Sequence, residues 1–418
     1  MNNSVCVFED DKFFNFLPLV YNRPVYNLRC GISQLKEKIF RHFNTQDKIL
    51  FCREYLSEKV KYENPKFHVN ELKGDQIIFI NGRLLITNDI VQELKKQKED
   101  IIYYCEDSVA AAKISKKNFN LIFEKMPGVL SFQELSLKSM RIKAKLLNYI
   151  WDIIKVNGEQ ITADYKVLTK KNKNYINKKY NGVYFINKKE IFIGANTVIY
   201  PTVVIDASEG PVYIGSNVKI LPHAAIEGPA FIGDNSLIKM KASIYANSSI
   251  GEVCKIGGEI ENTIFQSYSN KQHDGFLGHS YIGSFVNLGA DTTSSDLKNN
   301  YSKVSVLLNN KSVDTGMQFL GLMMGDHSKT GINTMFNTGT VVGFSSNIYG
   351  SGFPPKFVPS FAWGSPNEFV TYDLDKSMHT AEIVMARRNI TFNQIDKKIF
   401  QKIYELTQDE RKSFKNIA

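Results

Sequence analysis

From Val212 to Gly257 the sequence reads VYIGSNVKILPHAAIEGPAFIGDNSLIKMKASIYANSSIGEVCKIG. An isoleucine recurs in it at every sixth position, eight times in unbroken register, and glycine follows several of these isoleucines directly. A helix repeats every 3.6 residues and an ordinary strand every 2, so neither explains the spacing. A period of six predicts a parallel β-helix in which each coil has three short faces and each face points one aliphatic side chain into a common core.

The same register extends to both sides of this stretch. Isoleucines precede it at 193, 199 and 205, before a three-residue insertion that contains Gly210 and Pro211, and the register resumes at Met324, Thr330, Phe336, Val342 and Ile348. We interpret the repeat as a left-handed β-helix, an exception to the usual right-handed crossover. The segment from Leu297 to Phe319 breaks the period, so we expect it to leave the helix as a loop or side strand.

The flanking regions have different patterns. Before residue 160, short apolar runs alternate with amphipathic stretches, which indicates an α/β domain, and residues 138–156 read as a long helix that closes it. After residue 353 a proline-rich extended segment leads into a helical tail, which we expect to cap the solenoid. The sequence therefore predicts a Rossmann-like α/β domain over 1–185, the β-helix over 186–352, and an extended segment with helices over 353–418.

Composition limits the class of protein. A chain of 418 residues with 43% hydrophobic residues is globular and too long for most single cores. The N-terminus lacks the pattern of a signal peptide, no apolar run is long enough for a membrane span, and the five cysteines form no CxxC pair. We expect a soluble cytoplasmic protein without a disulfide framework, a zinc site or a membrane partner.

A net charge of +10 favours anionic ligands. The densest basic run, KVLTKKNKNYINKKY from Lys166 to Tyr180, lies just before the repeat, and we interpret it as a solvated connector rather than a nucleic-acid-binding arm. Small phosphorylated ligands remain the expected partners.

One stretch within the repeat carries a specific motif. From His273 to Thr292 the chain reads HDGFLGHSYIGSFVNLGADT. It resembles H-x-x-Y-[LV]-G-[DH]-x-x-I-G-x-x-[VF]-N-x-G-A-G-T, the acetyltransferase motif of the bifunctional sugar-1-phosphate nucleotidylyltransferase and amino-sugar-1-phosphate acetyltransferase enzymes that make UDP-N-acetylglucosamine. The spacing matches without a gap over twenty residues. The resemblance implies a nucleotidyltransferase-like first domain and acetyl-CoA-dependent N-acetylation of an amino-sugar-1-phosphate similar to glucosamine-1-phosphate.

The resemblance also assigns roles to residues. By its place in the motif His273 corresponds to the family's general base, and an imidazole suits that role because it can take a proton from an amine at neutral pH. Without the motif, a lone histidine would more often be structural. By resemblance Asn287 lies near the sugar phosphate, although an asparagine stacked in a β-helix turn is equally often structural. The other candidate substrate contacts are Phe276 and Asp296, at positions that the family pattern includes, Lys271 and His279 as weaker phosphate neighbours, and Lys298 and Lys303, which restore positive charge for a sugar phosphate. The candidate coenzyme contacts are Ala290 and Gly331, together with Arg387 and Arg388 of the tail, whose charges suit the phosphates of the coenzyme.

Several residues depart from the family pattern. The tyrosine of the motif is Phe276 here, its second glycine is Asp291, and a later asparagine is Asp296. Glu261 stands twelve positions before the histidine, where a lysine is common. These changes leave the identity of the acceptor open without challenging acyl transfer.

The N-terminal domain departs further. Related nucleotidylyltransferases open with G-x-G-x-R-L-x-P-L-T-x-x-R-P-K, and this chain lacks both glycines, the first arginine and the lysine. The family's metal-binding aspartate is replaced in Gly82-Arg83, and a cation there should repel magnesium. Arg23, Arg29 and Arg83 are candidates for binding a nucleotide phosphate directly, and Mg²⁺ is required only if nucleotidyl transfer is retained.

Two other functions remain open at this point. One is sugar-1-phosphate nucleotidyl transfer from UTP or dTTP as the main activity, and the other is a non-catalytic hexapeptide scaffold or regulatory protein. Since one flat side of a β-helix is too shallow to enclose an amino-sugar phosphate and a long coenzyme, we expect a homotrimer with sites between subunits.

Overall fold

The computed structural model describes residues 3–43, 45, 47–132, 137–170, 172–178 and 180–412, and the chain divides into two compact units. The first unit takes most of the chain up to Tyr149. The second holds Leu17–Tyr21, Arg29–Ile32 and the chain from Ile150 onward. The division into three parts at 185 and 352 stays a prediction.

The first unit is built on a seven-stranded sheet. Its strands are β1 Asn3–Phe8, β2 Lys48–Phe51, β3 His68–Val69, β4 Gln76–Asn81, β5 Ile101–Cys105, β6 Ser108–Ser115 and β7 Lys138–Arg141. Their order is β7-β5-β6-β4-β1-β2-β3, with β6 antiparallel to both of its neighbours and the other pairs parallel. The apolar runs VCVF and QIIFI form β1 and β4 because a central strand of such a sheet is buried on both faces.

Shorter elements complete this unit. Its helices are α1 Leu35–Phe40, α2 Ser57–Glu63 and α3 Asn88–Lys96. Two antiparallel strand pairs join Ile122–Met126 to Val129–Phe132 and Leu84–Leu85 to Lys145–Leu146. The side chain of Thr87 caps α3 by accepting a hydrogen bond from the backbone of Ile90.

The second unit is a parallel β-helix with three faces, which we name A, B and C. The strands of face A are Tyr184–Ile186, Val204–Asp206, Ala225–Glu227, Ser243–Ile244, Glu259–Glu261, Phe276–Gly278, Thr293–Ser294 and Met335–Phe336. Those of face B are Ile191–Ile193, Val212–Ile214, Ala230–Ile232, Ser248–Ile250, Ile264–Phe265, Tyr281–Ile282, Met323–Met324, Val341–Val342 and Phe357–Val358. Those of face C are Val198–Ile199, Lys219–Ile220, Leu237–Ile238, Lys255–Ile256, Asn270–Lys271, Asn287–Leu288, Lys329–Thr330, Asn347–Ile348 and Ala362–Ser365, with Glu368–Thr371 added antiparallel.

The residues that recur at every sixth position form the core of the β-helix. Every isoleucine of the repeat is buried, and so are the residues that continue it from Met324 to Ile348. Burying each isoleucine contributes about 1.5–3 kcal/mol. Several of these isoleucines are followed by glycine because the coils are closely stacked. A Cβ on Gly194, for example, would lie 2.5 Å from the carbonyl carbon of Gly215. The predicted fold class, a nucleotidyltransferase-like α/β unit followed by a left-handed β-helix and a helical tail, is confirmed.

One helix predicted for the first domain belongs to the second unit. Helix α4, Ile150–Leu168, packs Ile161 and Tyr165 against Phe192 and Phe231 on face B. Residues 138–141 form β7 instead of the start of a helix, because the exposed edge of β5 offers them a strand partner. Gly158 permits the close approach of α4, since a Cβ there would collide with the side-chain oxygen of Asn247.

The interrupting segment leaves the β-helix as a hairpin, as the broken period predicts. An antiparallel bridge between Leu297 and Phe319 closes its base, and strands Ser305–Leu308 and Lys311–Asp314 form the hairpin. Val304 and Val306 are buried, with Val304 against Gly339 of the β-helix. Much of the segment therefore packs on its own chain.

The C-terminal tail lies against a corner of the last coils. Its helices are α5 Leu374–Ala386 and α6 Gln394–Leu406, and Asn393 caps α6. Phe400 of α6 contacts His327, Phe344 and Phe361 with ring-centroid separations of 5.0, 4.9 and 6.4 Å.

Among the helices of the described residues, none is long and apolar enough to cross a membrane.

Candidate active site

His273 lies in the turn that joins face C to face A. The turn begins after Asn270–Lys271 and ends at Phe276–Gly278, and the His273 side chain is exposed. Gly275 makes the turn possible, since its φ is +107° and a Cβ there would collide with the carbonyl oxygen of Thr292. An exposed imidazole at such a corner is open to a substrate amine.

Lys271 lies directly beneath this turn. It is fully buried, and its Nζ donates to the carbonyl oxygens of His273 and Asp274, both at 2.9 Å. Burial lowers the pKa of Lys271 from 10.5 to about 8, while the carboxylates of Asp274 and Asp291 act in the opposite direction. A direct contact of Lys271 with a substrate phosphate, one of the weaker predictions from the sequence, requires that these hydrogen bonds be broken.

Asn287 is part of a polar chain on face C. Its exposed side-chain oxygen accepts a hydrogen bond of 3.2 Å from Asn270, its neighbour in the ladder. Asn270 in turn accepts a hydrogen bond from the guanidinium of Arg388, which follows α5. The tail arginine and the motif asparagine are thus brought together through Asn270, which the motif does not include.

Further basic residues surround Arg388. The pKa of Lys255 is lowered, first by burial and then by the nearby charges of Arg388, Arg387 and Lys239. Burial is also the main reason that the pKa of Arg388 is lowered. This cluster of four cations suits phosphate groups. Lys239 and Lys255 were missed from the sequence, although Lys255 immediately precedes an inward isoleucine and so faces outward on face C.

The two small coenzyme candidates occupy successive corners next to the His273 turn. Ala290 accepts a backbone hydrogen bond of 2.8 Å from Asn333, one coil further on. Gly331 begins that next corner, and a Cβ on Gly289 would collide with its carbonyl oxygen. Their role in coenzyme binding stays a prediction.

Phe276 and Asp296 converge over Gly278 on face A. A Cβ on Gly278 would lie 2.5 Å from the Phe276 ring and collide with the Asp296 carboxylate. Asp296 is 8% exposed and bonds to Nδ1 of His279 at 2.7 Å, and the His279 ring stacks on Phe319 at 5.3 Å. The aspartate that replaces the family asparagine therefore has its own histidine partner at the base of the hairpin.

Lys298 and Glu261 are also placed by the structure. Lys298 lies at the start of the interrupting segment and donates through Nζ to the carbonyl oxygen of Lys303. Glu261 lies on face A beside Gly278 in the strand ladder.

Arg83 of the first unit is locked in an ion pair. It is 1% exposed, and its guanidinium bonds to Asp10, with Nε at 2.9 Å from Oδ1, and to the carbonyl oxygen of Leu147 at 2.7 Å. Within the described residues no group of three or more acidic, histidine or cysteine side chains can hold a metal ion. Since Arg83 already neutralises Asp10, these residues do not fit a magnesium ion.

The loop that would cradle phosphates is filled by aromatic side chains. Residues Asp11–Phe16 form a short 3₁₀ helix in which Phe13 and Phe16 are buried. The guanidinium of Arg53 lies 4.2 Å from the Phe13 ring centroid and pairs with the buried Glu9 at 3.1 Å. Arg53 also donates to the carbonyl oxygen of Arg23 at 2.8 Å.

Arg29, the third nucleotide candidate, belongs to the second unit. It is 2% exposed and bonds to both carboxylate oxygens of Glu252 at 2.8 and 2.6 Å. Its Nε also donates to the carbonyl oxygen of Gln266 at 3.3 Å. The guanidinium groups of Arg29 and Arg83 are thus each paired with a carboxylate of their own unit, and nucleotide binding by Arg23, Arg29 and Arg83 stays a prediction.

Comparison with known proteins covers both units. Residues 5–173 match the model of a family described as sugar nucleotidyl transferase. The bifunctional protein GlmU of Methanococcus aeolicus is 30% identical over 348 residues, which are 78% of this chain and 82% of that protein. A bifunctional sugar-1-phosphate nucleotidylyltransferase/acetyltransferase of Sulfurisphaera tokodaii is 25% identical over 79% of this chain and 88% of its own.

A shorter relative matches less of the chain. The uncharacterized acetyltransferase YaiX of Escherichia coli O6:K15:H31 is 32% identical over 187 residues, 44% of this chain and 80% of that protein. The similarity to GlmU spans most of both proteins and includes a sugar nucleotidyl transferase region, so it is not limited to a common repeat. This chain is a transferase that belongs to the family of GlmU-like bifunctional sugar-1-phosphate nucleotidylyltransferases/acetyltransferases.

Proposed function

We propose that this protein transfers an acetyl group from acetyl-CoA to the amino group of an amino-sugar-1-phosphate, with His273 as the general base. The observation that carries the proposal is the exposed His273 on a corner of the β-helix, in a motif that matches without a gap from His273 to Thr292. Family membership supports acetyl and nucleotidyl transfer in nucleotide-sugar metabolism. The acceptor and the base are our assignment.

The chemistry needs one proton acceptor and no covalent enzyme intermediate. His273 takes a proton from the amine as its nitrogen bonds to the thioester carbonyl carbon. The tetrahedral intermediate then collapses, the C–S bond breaks, and coenzyme A leaves as a thiol after regaining a proton. In this assignment Asn287 and Asn270 lie beside the sugar phosphate, and the cluster of Lys239, Lys255, Arg387 and Arg388 holds the phosphates of the coenzyme.

The test is thiol release from acetyl-CoA with glucosamine-1-phosphate or galactosamine-1-phosphate as acceptor, with mass spectrometry of the acetylated sugar. We expect His273→Ala to lower kcat at least about 100-fold, the effect of losing a general base. His223→Ala is the matched control, because His223 is also exposed on a corner between faces C and A. Turnover of His273→Ala at the wild-type rate would remove His273 from the mechanism.

A second candidate function is nucleotidyl transfer, favoured by the match of residues 5–173 to sugar nucleotidyl transferases. The Arg83–Asp10 pair and the buried Phe13 oppose it, because they occupy the positions where a metal ion and phosphates would bind. We therefore assign acetyl transfer as the main activity.

A further inference from the structure

Lys271 occupies a position that the repeat reserves for an aliphatic side chain. In the ladder of face C it lies between Ile256 and Leu288, which both point into the core. Its own side chain is likewise 0% exposed. A lysine in this register is unusual, since a buried ammonium must be offset by hydrogen bonds.

The space for the ammonium comes from a short corner in the preceding coil. That coil passes from face C to face A through Gly257 and Gly258 alone, whereas the corners at 239–242 and 289–292 have four residues. Ala242 and Thr292 fill the inside of those corners. At the short corner a Cβ on Gly258 would lie 2.7 Å from the Nζ of Lys271. The lysine side chain therefore fills the interior that the two glycines leave open.

The ammonium connects this interior to the turn that carries His273. Its two acceptors, the carbonyl oxygens of His273 and Asp274, belong to consecutive residues of the turn. A Cβ on Gly258 would also lie 2.8 Å from the carbonyl oxygens of His273 and Gly275, so the turn packs closely on the short corner. Both hydrogen bonds involve backbone atoms and leave the imidazole exposed.

We infer, on the basis of the proposed role of His273, that Lys271 is a positioning residue that holds the 272–275 turn in the conformation from which the imidazole reaches the acceptor amine. It acts through the backbone and does not contact the substrate. A positioning role differs from a general structural role because loss of Lys271 should lower activity only when His273 is present.

A double-mutant cycle tests this route. Lys271→Met keeps the apolar stem and removes both donors, and we expect kcat to fall about tenfold or more while KM for acetyl-CoA changes less than about twofold. In the His273→Ala background the same substitution should change kcat less than about twofold, because the group it positions is gone. Ile238→Val, a core change on face C away from the turn, is the control. Equal losses in both backgrounds, or full activity of Lys271→Met, would overturn the inference.

Hydrogen exchange tests the same inference without an activity measurement. We expect the amides of residues 272–275 to exchange faster in Lys271→Met than in the wild type, while the strands of face C keep their protection. Lys271→Leu, which places the next residue type of the same ladder at this position, should affect the same turn if the methionine variant fails to fold. A wild-type protein without thiol release would contradict the proposed function only, whereas unchanged exchange of the turn in both variants would contradict the positioning role.

Discussion

A buried lysine with a lowered pKa makes stability depend on pH in a defined window. The pKa of Lys271 is about 8 in the folded protein against an ordinary 10.5. Between these values the unfolded chain carries a proton that the folded chain has lost, so the free energy of unfolding rises as the pH increases from about 8 to about 10.5. Below pH 8 both states are protonated and the contribution is flat.

The contribution of Lys271 to the pH dependence of stability can be isolated by comparing the wild type with a variant that lacks this lysine. We expect the difference in unfolding free energy between the wild type and Lys271→Met to increase across that window in urea titrations at successive pH values. Lys329, whose pKa is also lowered to about 8 by burial, is present in both proteins and cancels. A difference that falls with pH, or does not change, would contradict the direction assigned to Lys271.

Arg83 should matter for stability of the first unit. Arg83→Ala leaves the largely buried Asp10 carboxylate without its guanidinium, and we expect a loss of about 3–5 kcal/mol in urea unfolding. Lys125→Ala breaks the exposed pair with Asp11 and should cost at most about 1 kcal/mol. Similar losses for the two variants would show that the Arg83–Asp10 pair is not the buried structural element described above.

The role that the motif gives to His273 stays a prediction. The motif selected His273, and the structure brings Asn287 and Arg388 to the same face through Asn270. The orientation of Lys271 was missed because the six-residue spacing is broken in the preceding coil, where the inward residues are Ile256, Ile260 and Phe265. Asn270 was missed because its role depends on a tail residue more than a hundred positions away.

At the scale of elements, periodicity was decisive where one environment repeats. Each coil of the β-helix supplies the same narrow core, so the isoleucine spacing alone predicted the strands. Residues 138–156 had no such constraint. Their apolar content suits a helix or a strand. Residues 138–141 form β7 because they pair with the edge of β5, and the local sequence does not reveal this tertiary partner.

The tail helices should control coenzyme binding. Phe400→Ala removes the ring that packs on His327, Phe344 and Phe361, and we expect a stability loss of about 3–5 kcal/mol, confined to docking of the tail. If Arg387 and Arg388 bind the coenzyme, KM for acetyl-CoA should rise at least about tenfold while kcat changes less.

Lys402→Ala is the matched control for this helix, because Lys402 is exposed on α6 and pairs with its exposed neighbour Glu405. Its KM should stay at the wild-type value. If limited proteolysis shows that the tail of Phe400→Ala is released and KM for acetyl-CoA is unchanged, the tail is not part of the coenzyme site.

At the scale of the whole molecule, we predict a homotrimer with shared sites. Light scattering should give three times the mass of one chain, and mixing His273→Ala with Asn287→Ala subunits should restore part of the activity. Mixing Asn287→Ala with Arg388→Ala should restore none, because hydrogen bonds through Asn270 place both on one wall. A fully active monomer, or restoration in the second mixture, would contradict this arrangement.

Nucleotidyl transfer by the same molecule should be weak or absent at ordinary magnesium concentrations. Arg83 stands where a metal ligand is expected, and Phe13 fills the loop that would hold phosphates. The measurement is pyrophosphate release from UTP or dTTP with N-acetylglucosamine-1-phosphate. Robust magnesium-dependent release would show that these residues move aside or that another site binds the metal.

The route of the chain through the two units bears on how such a protein can evolve. Leu17–Tyr21 and Arg29–Ile32 are early in the sequence but belong to the unit of the β-helix, where Arg29 pairs with Glu252. No single deletion that removes the first unit spares these segments. A single deletion of residues 1–149 would also remove part of the β-helix unit, so persistence of the N-terminal region is not by itself a sign that its original reaction is under selection.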